Sequence, residues 1–360
     1  MLAATAALFA ACAETDLVND LNVESNSQEI GFSTYAGKVT RAENSDETVT
    51  DGLGIHHSDF KVWAYKNTHT AYVFDNVKVY LSGTAWKYDG AKYWDKAANK
   101  YEFYAAAPAR AEWTLKANVA ENQADDYFTF ANFQLEDKTL SSTSYEESLK
   151  SATNQDLMIA SPEPVLEGAI LSGATVQLDF NHILSRLNVT VKKSETLVNE
   201  VVNLTSISIN KLPNTGSFDE SDKEGHRWTL TENVTGSITG NILNGVGATG
   251  AYVIQSLVMP QDVYYASIDR NGDHNGSTKA PYLYITYTIG NEPFAASYNL
   301  ANAFAKTTAG EYVAFKEGWQ NTLNITIDAD AIEFDAVTYK WDVLTDGYPT
   351  IGTEKENTHN

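Results

Sequence analysis

The feature that most restricts this chain is a side-chain alternation with a period of two, repeated in short runs along its length. In "DFKVWAYKN", Phe60, Val62 and Ala64 take turns with Lys61, Trp63 and Tyr65. That rhythm sends successive side chains to opposite faces of a strand, whereas a helix repeats near 3.6. "VFDNVKVYLSG", "AWKYDGAKYWD", "YEFYAAAPA", "DLMIAS" and "TVQLDF" continue it in the first half. "HILSRLNVTVKKS", "TSISINKLPNTGSFD", "GHRWTLTEN", "GAYVIQSLVMPQDV", "PYLYITYTIG" and "NTLNITIDADAIEF" do so in the second. Asp89-Gly90, between aromatic flanks, reads as a hairpin, Pro108 as a strand stop, and Pro213-Asn214-Thr215-Gly216 as a turn. Weak helical potential occurs around "SYEESLKSA". The expectation is an all-β protein.

Composition points the same way. The 20 Tyr, 14 Phe and 7 Trp suit a pleated, half-buried surface. At 360 residues the chain is too long for one ordinary β-sandwich, and two domains are expected, meeting near Asn181. Many short strands at regular spacing fit two tandem Greek-key sandwiches better than a barrel or a βαβ protein. A net charge of -22 with pI near 4.6 repels phosphate backbones, so nucleic acid is excluded as a partner.

Chemistry-bearing residues are sparse. The single cysteine, Cys12, closes "MLAATAALFAAC". A short apolar run ending in small residues before a cysteine matches a lipoprotein processing site, and the thiol would carry the lipid. The competing reading is an apolar N-terminus with an incidental thiol. From Ala13 the chain is a polar tether, followed by a strand begun by Ile30 and Phe32. One of the five arginines, Arg41, stands where that strand gives way to an acidic, polar stretch.

The tryptophans Trp63, Trp86, Trp94, Trp113, Trp228, Trp319 and Trp341 either stack on sugars or fill a core, and strand aromatics do the latter more often. Asp269 to Ser277 imitates a calcium loop but has His274 where a glycine is needed, and reads as a long hairpin loop. His56-His57 reads as a solvated turn pair. His182 and Arg186 in "DFNHILSR" read as a structural ion pair or as interdomain hydrogen bonds. No Gly-x-Ser-x-Gly or His-Glu-x-x-His motif occurs, and neither metal nor other cofactor is expected.

Taken in order, "DFKVWAY", "WKYDGAKYWD", "YEFYAAAP", "DLMIAS", "LDFNHILSRLNVTV", "LVMPQDV" and "LNITIDADAIEFDAVTYKW" resemble the fimbrillin-like proteins of Bacteroidetes, the subunits of type V pili. The resemblance spans Ile30 to Trp341. It implies two transthyretin-like β-sandwich domains, no catalytic residues, export as an acylated precursor anchored in the outer membrane, and trimming by an Arg-specific protease. The position matching the cut is the Arg41–Ala42 bond. The strand released would be that of Ile30 and Phe32, and the groove it vacates would take a strand from another pilus subunit of the extracellular fimbrium.

In "DAVTYKWDVLTDGY", Val337, Tyr339, Trp341 and Val343 alternate as a donor strand requires, although the run also reads as the last strand of the second domain. The implied organisation is a signal peptide over 1–12, a tether and removable strand over 13–41, sandwiches over 42–180 and 181–345, and a polar tail over 346–360. A surface lipoprotein that binds glycans through exposed aromatics is the alternative. More remote is a β-sandwich hydrolase built on facing carboxylates.

Overall fold

A computed structural model describes residues 28–36, 57–116, 126–135, 138–139, 156–222, 227–231, 235–262, 281–300 and 314–340. In chain order the first half holds β1 (Phe32–Ala36), β2 (Asp59–Lys66), β3 (Thr68–Ser82), β4 (Ala85–Tyr88), β5 (Lys100–Ala107), β6 (Trp113–Lys116), β7 (Tyr127–Gln134), β8 (Lys138–Thr139), β9 (Met158–Ala160), β10 (Val165–Leu166) and β11 (Val176–His182). A helix of one and a half turns, Glu167–Ser172, precedes β11.

The second half holds β12 (Ser185–Lys193), β13 (Val202–Pro213), β14 (Thr215–Asp219), β15 (Trp228–Leu230), β16 (Thr235–Thr239), β17 (Ala251–Val258), β18 (Gln261–Asp262), β19 (Tyr282–Ile289), β20 (Glu292–Asn299), β21 (Ala314–Phe315), β22 (Trp319–Ile327) and β23 (Ile332–Lys340). The protein is all-β, its sheets stacked as sandwiches, as the alternation predicts.

The first sheet runs β1-β11-β9-β5-β2-β3-β4, with β10 beside β5. It curls, so that one face encloses a core of Ile30, Phe32, Phe60, Phe74, Phe103 and Phe180. Its other face, with Trp63, Tyr65 and Tyr104, packs on the sheet β15-β14-β7-β6 through Trp113, Phe128, Phe130 and Trp228. Burial on both faces explains why "VWAY" in β2 and "YAAA" in β5 show no exposed position. The third core lies between β17-β12-β22-β23 and β20-β19-β13-β16-β8, filled by Leu187, Val189, Ile207, Ile285 and Leu323.

Two turns differ from the sequence reading. The hairpin lies at Gly83-Thr84, where Ser82 opposes Ala85 and Gly83 takes φ 66°. Asp89-Gly90 is a bend that turns the chain towards residues 92–94. At Pro213-Asn214-Thr215-Gly216 the chain changes sheet instead of doubling back: β14 leaves β13 and pairs with β7. Among the described residues, paired strands therefore cross the 180/181 boundary, β14 to β7 and β8 to β16, and β11 itself straddles it, with Asn181 and His182 opposite Ile159 and Met158 of β9.

Candidate functional site

The first described strand is the place to look, because it joins two partners in succession. Ile30 donates its N–H to Lys92 O at 2.8 Å, Trp94 donates to Gln28 O at 3.0 Å, and Glu29 bridges Tyr93. At Gly31 the chain changes sides: the Gly31 carbonyl accepts the Val176 N–H at 2.9 Å. From there β1 runs parallel to β11, with Phe32 opposite Val176 and Ala36 opposite Phe180. The Gln28 side chain covers Gly173, where any Cβ would collide with it.

Apolar burial holds this short ladder in place. Ile30 is 0% and Phe32 7% exposed, and each such side chain contributes roughly 1.5–3 kcal/mol. The Phe32 ring sits in a box of four others, with centroids at 5.5 Å from Phe74, 5.9 Å from Tyr88, 6.0 Å from Phe103 and 6.1 Å from Phe60. These are edge-to-face contacts, the arrangement ring quadrupoles favour.

β4 approaches from the side away from β11 and bonds through side chains. Trp86 Nε1–H donates to Thr34 Oγ1 at 2.9 Å, and the Tyr88 hydroxyl donates to Ile30 O at 2.8 Å. Burial pushes the Tyr88 phenol up to about 12, so it stays a donor at any physiological pH. Without β1, the β11 edge would expose unpaired backbone groups beside an aromatic pocket.

Of the sequence-derived positions, Ile30 and Phe32 belong to this site. Val337 and Tyr339 lie on β23, paired with Thr322 and Gln320 of β22, so here they are strand residues of the second sandwich. Cys12, Arg41, Ala42, Trp341 and Val343 lie outside the described residues, as does the Asp269–Ser277 loop. The sequence reading missed Trp86, Tyr88 and Thr34. Its available signal was the aromatic alternation of "AWKY", whose partner strand sequence alone does not identify.

The four tryptophans of the first half, and Trp228, form no sugar platform. Trp94 is 2% exposed, Trp63, Trp113 and Trp228 are buried, and Trp86 packs on the first core. His57 is not a solvated turn residue: it is buried, with Nε2 bonded to Asp156 O at 2.7 Å. Burial holds its pKa below the usual value, although Asp156 opposes this. His182 Nδ1 bonds the same aspartate at 3.1 Å, and Arg186 is buried on β12.

Carboxylates in the cleft beside it are engaged too. Arg227 pairs with Glu317, and Glu220 accepts the Phe128 N–H at 2.8 Å. No group of three or more potential ligands for a metal occurs among the described residues, and no helix among them is long and apolar enough to cross a membrane.

Comparison with known proteins gives the following. The family described as Fimbrillin-like matches residues 40–341. A solved fimbrial protein from Bacteroides vulgatus ATCC 8482 is 16% identical, with TM-score 0.50, covering 88% of this chain and 100% of that one. A candidate cell adhesion protein from Bacteroides ovatus ATCC 8483 is 13% identical, also with TM-score 0.50, covering 88% and 98%. At such identities the likeness concerns the fold. No curated protein matches the chain.

Proposed function

The chain belongs to the fimbrillin-like family, a family of structural fimbrial subunits and not of enzymes, and from that premise we propose that it is a pilus-subunit precursor with a removable first strand. Cys12 carries the lipid that tethers the precursor to the outer membrane. An Arg-specific protease cuts the Arg41–Ala42 bond, in a polar stretch of the kind proteases enter readily. Residues Ile30 and Phe32 then leave with their strand, and the β11 edge accepts a strand from another subunit of the extracellular, adhesive fimbrium.

The observation that carries this reading is the composite setting of β1. Its side chains complete a core, yet along Phe32–Ala36 the flank away from β11 is joined to β4 by the Trp86–Thr34 side-chain bond, while the backbone pairing with residues 92–94 lies before it, at residues 28–30. A strand whose loss leaves both an open backbone edge and an empty aromatic box is replaced well by another strand of alternating apolar residues. The candidate donor is the run of Val337, Tyr339, Trp341 and Val343. Four apolar side chains at roughly 1.5–3 kcal/mol each would make the exchange slow to reverse. Donation by Val337 and Tyr339 requires β23 to leave β22.

The test is to treat the purified precursor with an Arg-specific protease and look for SDS-resistant ladders on a gel. Ladders should appear after cleavage and vanish in Arg41→Ala. Ladders that form without cleavage would sink the mechanism. Ladders indifferent to deletion of Val337 to Asn360 would sink the donor assignment.

A further inference from the structure

The outer face of the sheet β20-β19-β13-β16-β8 has a side-chain chemistry unlike the rest of the chain. Leu283 and Ile285 of β19 and Ile207 and Ile209 of β13 point into the core, so their neighbours in sequence point out. The register aligns these outward residues in rows across the strands. One row is Thr239, Ser208, Tyr284 and Ser297, and the next is Ser237, Asn210, Tyr282 and Asn299. Further along, Thr205 and Thr286 share a hydrogen bond of 2.7 Å, and Asn203 Nδ2 donates to Thr288 Oγ1 at 3.3 Å.

Among the described residues these rows contain no carboxylate and no cation. One residue in five of the whole chain, 20%, is charged, so a face this broad without a charge departs from the general surface. Lys211 stands at its margin, at the β-bulge of β13, with its ammonium 5.6 Å from the Tyr282 ring centroid. Tyr284 is 38% exposed.

We propose that this face binds a neutral glycan, with the Tyr282 and Tyr284 rings against sugar faces and the Ser, Thr and Asn side chains bonded to sugar hydroxyls. Tyrosine with serine and asparagine is the composition of a recognition surface: rigid amphipathic rings supply area, and short polar groups supply adaptable hydrogen bonds. Charge decides the class of partner. An anionic chain would be repelled by a protein of net charge -22, and a cationic one would find no carboxylate in these rows. A protein partner would need an apolar anchor and a pocket to receive it, whereas the outward positions beyond the tyrosines offer only Ala295 and Pro293 as apolar groups. An uncharged, hydroxyl-rich partner loses nothing on meeting this face.

Strips of backbone about 4.8 Å apart place the hydroxyls in a regular grid, suited to a repeating chain. The site is independent of strand exchange, since it lies on the second sandwich and uses neither β1 nor β23.

The experiment is native affinity electrophoresis of the full chain in gels cast with mannan, dextran, laminarin or xylan, with hyaluronan as the anionic control. At least one neutral polysaccharide should retard the protein and hyaluronan should not. Tyr284→Ala should weaken the retardation about tenfold, and Ser208→Glu, which puts a charge in the middle of a row, should weaken it at least as much. Thermal unfolding of both variants should match the parent, because neither position is in the core.

Absence of retardation in all four neutral gels would overturn the proposal. So would retardation that survives Tyr284→Ala and Ser208→Glu, or a preference for hyaluronan. Dimers in sedimentation that dissolve in Ser208→Glu would assign the face to a second copy and overturn it as well. Ladder formation by protease treatment is unaffected in each case, so the two readings fail separately.

Discussion

The two terminal strands of the described fold, β1 and β23, are both edge strands, yet they are held by opposite means. β1 makes a short parallel ladder, from Phe32 opposite Val176 to Ala36 opposite Phe180, and sinks its side chains into a core. β23 makes a long antiparallel ladder, from Ile332 opposite Ile327 to Lys340 opposite Trp319, while Ile332 and Phe334 are only half-buried. The first strand therefore depends on pockets and the last on hydrogen bonds. A net backbone bond is worth about 0.5–1.5 kcal/mol and is remade with any new partner or with water; a filled aromatic box is restored only by a side chain of the right shape. Under the proposed function, that asymmetry suits β1 to the role of the strand that is replaced, and β23 to that of one released at modest cost to its core.

The largest effect should come from Phe32→Ala. Emptying the box between Phe60, Phe74, Tyr88 and Phe103 should cost about 3–5 kcal/mol in urea unfolding of the full chain followed by tryptophan fluorescence. Phe334→Ala on β23 removes a half-buried ring that meets Tyr298 edge-to-face at 4.7 Å, and should cost only about 1–2 kcal/mol. Equal losses in the two variants would break the contrast between the strands.

Acid should separate the sandwiches in the same sense. His57 begins the chain's entry into β2 and faces Asp156, His182 and Asp59. Its folded-state pKa is depressed by burial, so its contribution to stability is whole above the ordinary value of 6.5 and is lost as pH falls below that value, because the unfolded chain then binds the proton more readily. Urea midpoints should fall with pH over this range, and His57→Gln, which keeps a donor for Asp156 O, should flatten the fall. A smaller effect is expected of Trp86→Phe: the ring stays, Thr34 Oγ1 loses its donor, and about 1 kcal/mol should go.

Much of this fold is legible in the sequence for a plain reason. Alternation, turn residues and aromatic content are local, so "DFKVWAYKN" and "PYLYITYTIG" announce strands unaided. Pairing is not local. Asp89-Gly90 has hairpin chemistry, but the chain beyond it is claimed by residues 28–30, some sixty positions earlier, through the Glu29–Tyr93 bridge. Pro213 to Gly216 has turn chemistry, but β14 finds its neighbour in β7. At the site, Ile30 and Phe32 are readable as apolar strand residues, whereas the clamp of Trp86 and Tyr88 is created only when the first sheet curls. His57 looked solvated because its neighbours in sequence are polar; the carbonyl that receives it belongs to Asp156.

The smallest expected effect on folding discriminates best between the two roles of the last strand. Val337 is 46% exposed and opposite Thr322, so Val337→Ala should change the unfolding free energy by no more than about 0.5 kcal/mol. If β23 acts only within its own sandwich, the same variant should also form protease-induced ladders normally. If the strand is donated, Val337 exchanges its exposed position for a pocket in the neighbouring subunit, and the cost of truncation moves from folding to assembly. Two methyl groups lost from a buried side chain then amount to about 1–2 kcal/mol per junction, a loss repeated at every subunit. Ladders should be shorter or less resistant to SDS although the monomer is as stable as before, a combination that an intradomain strand cannot produce.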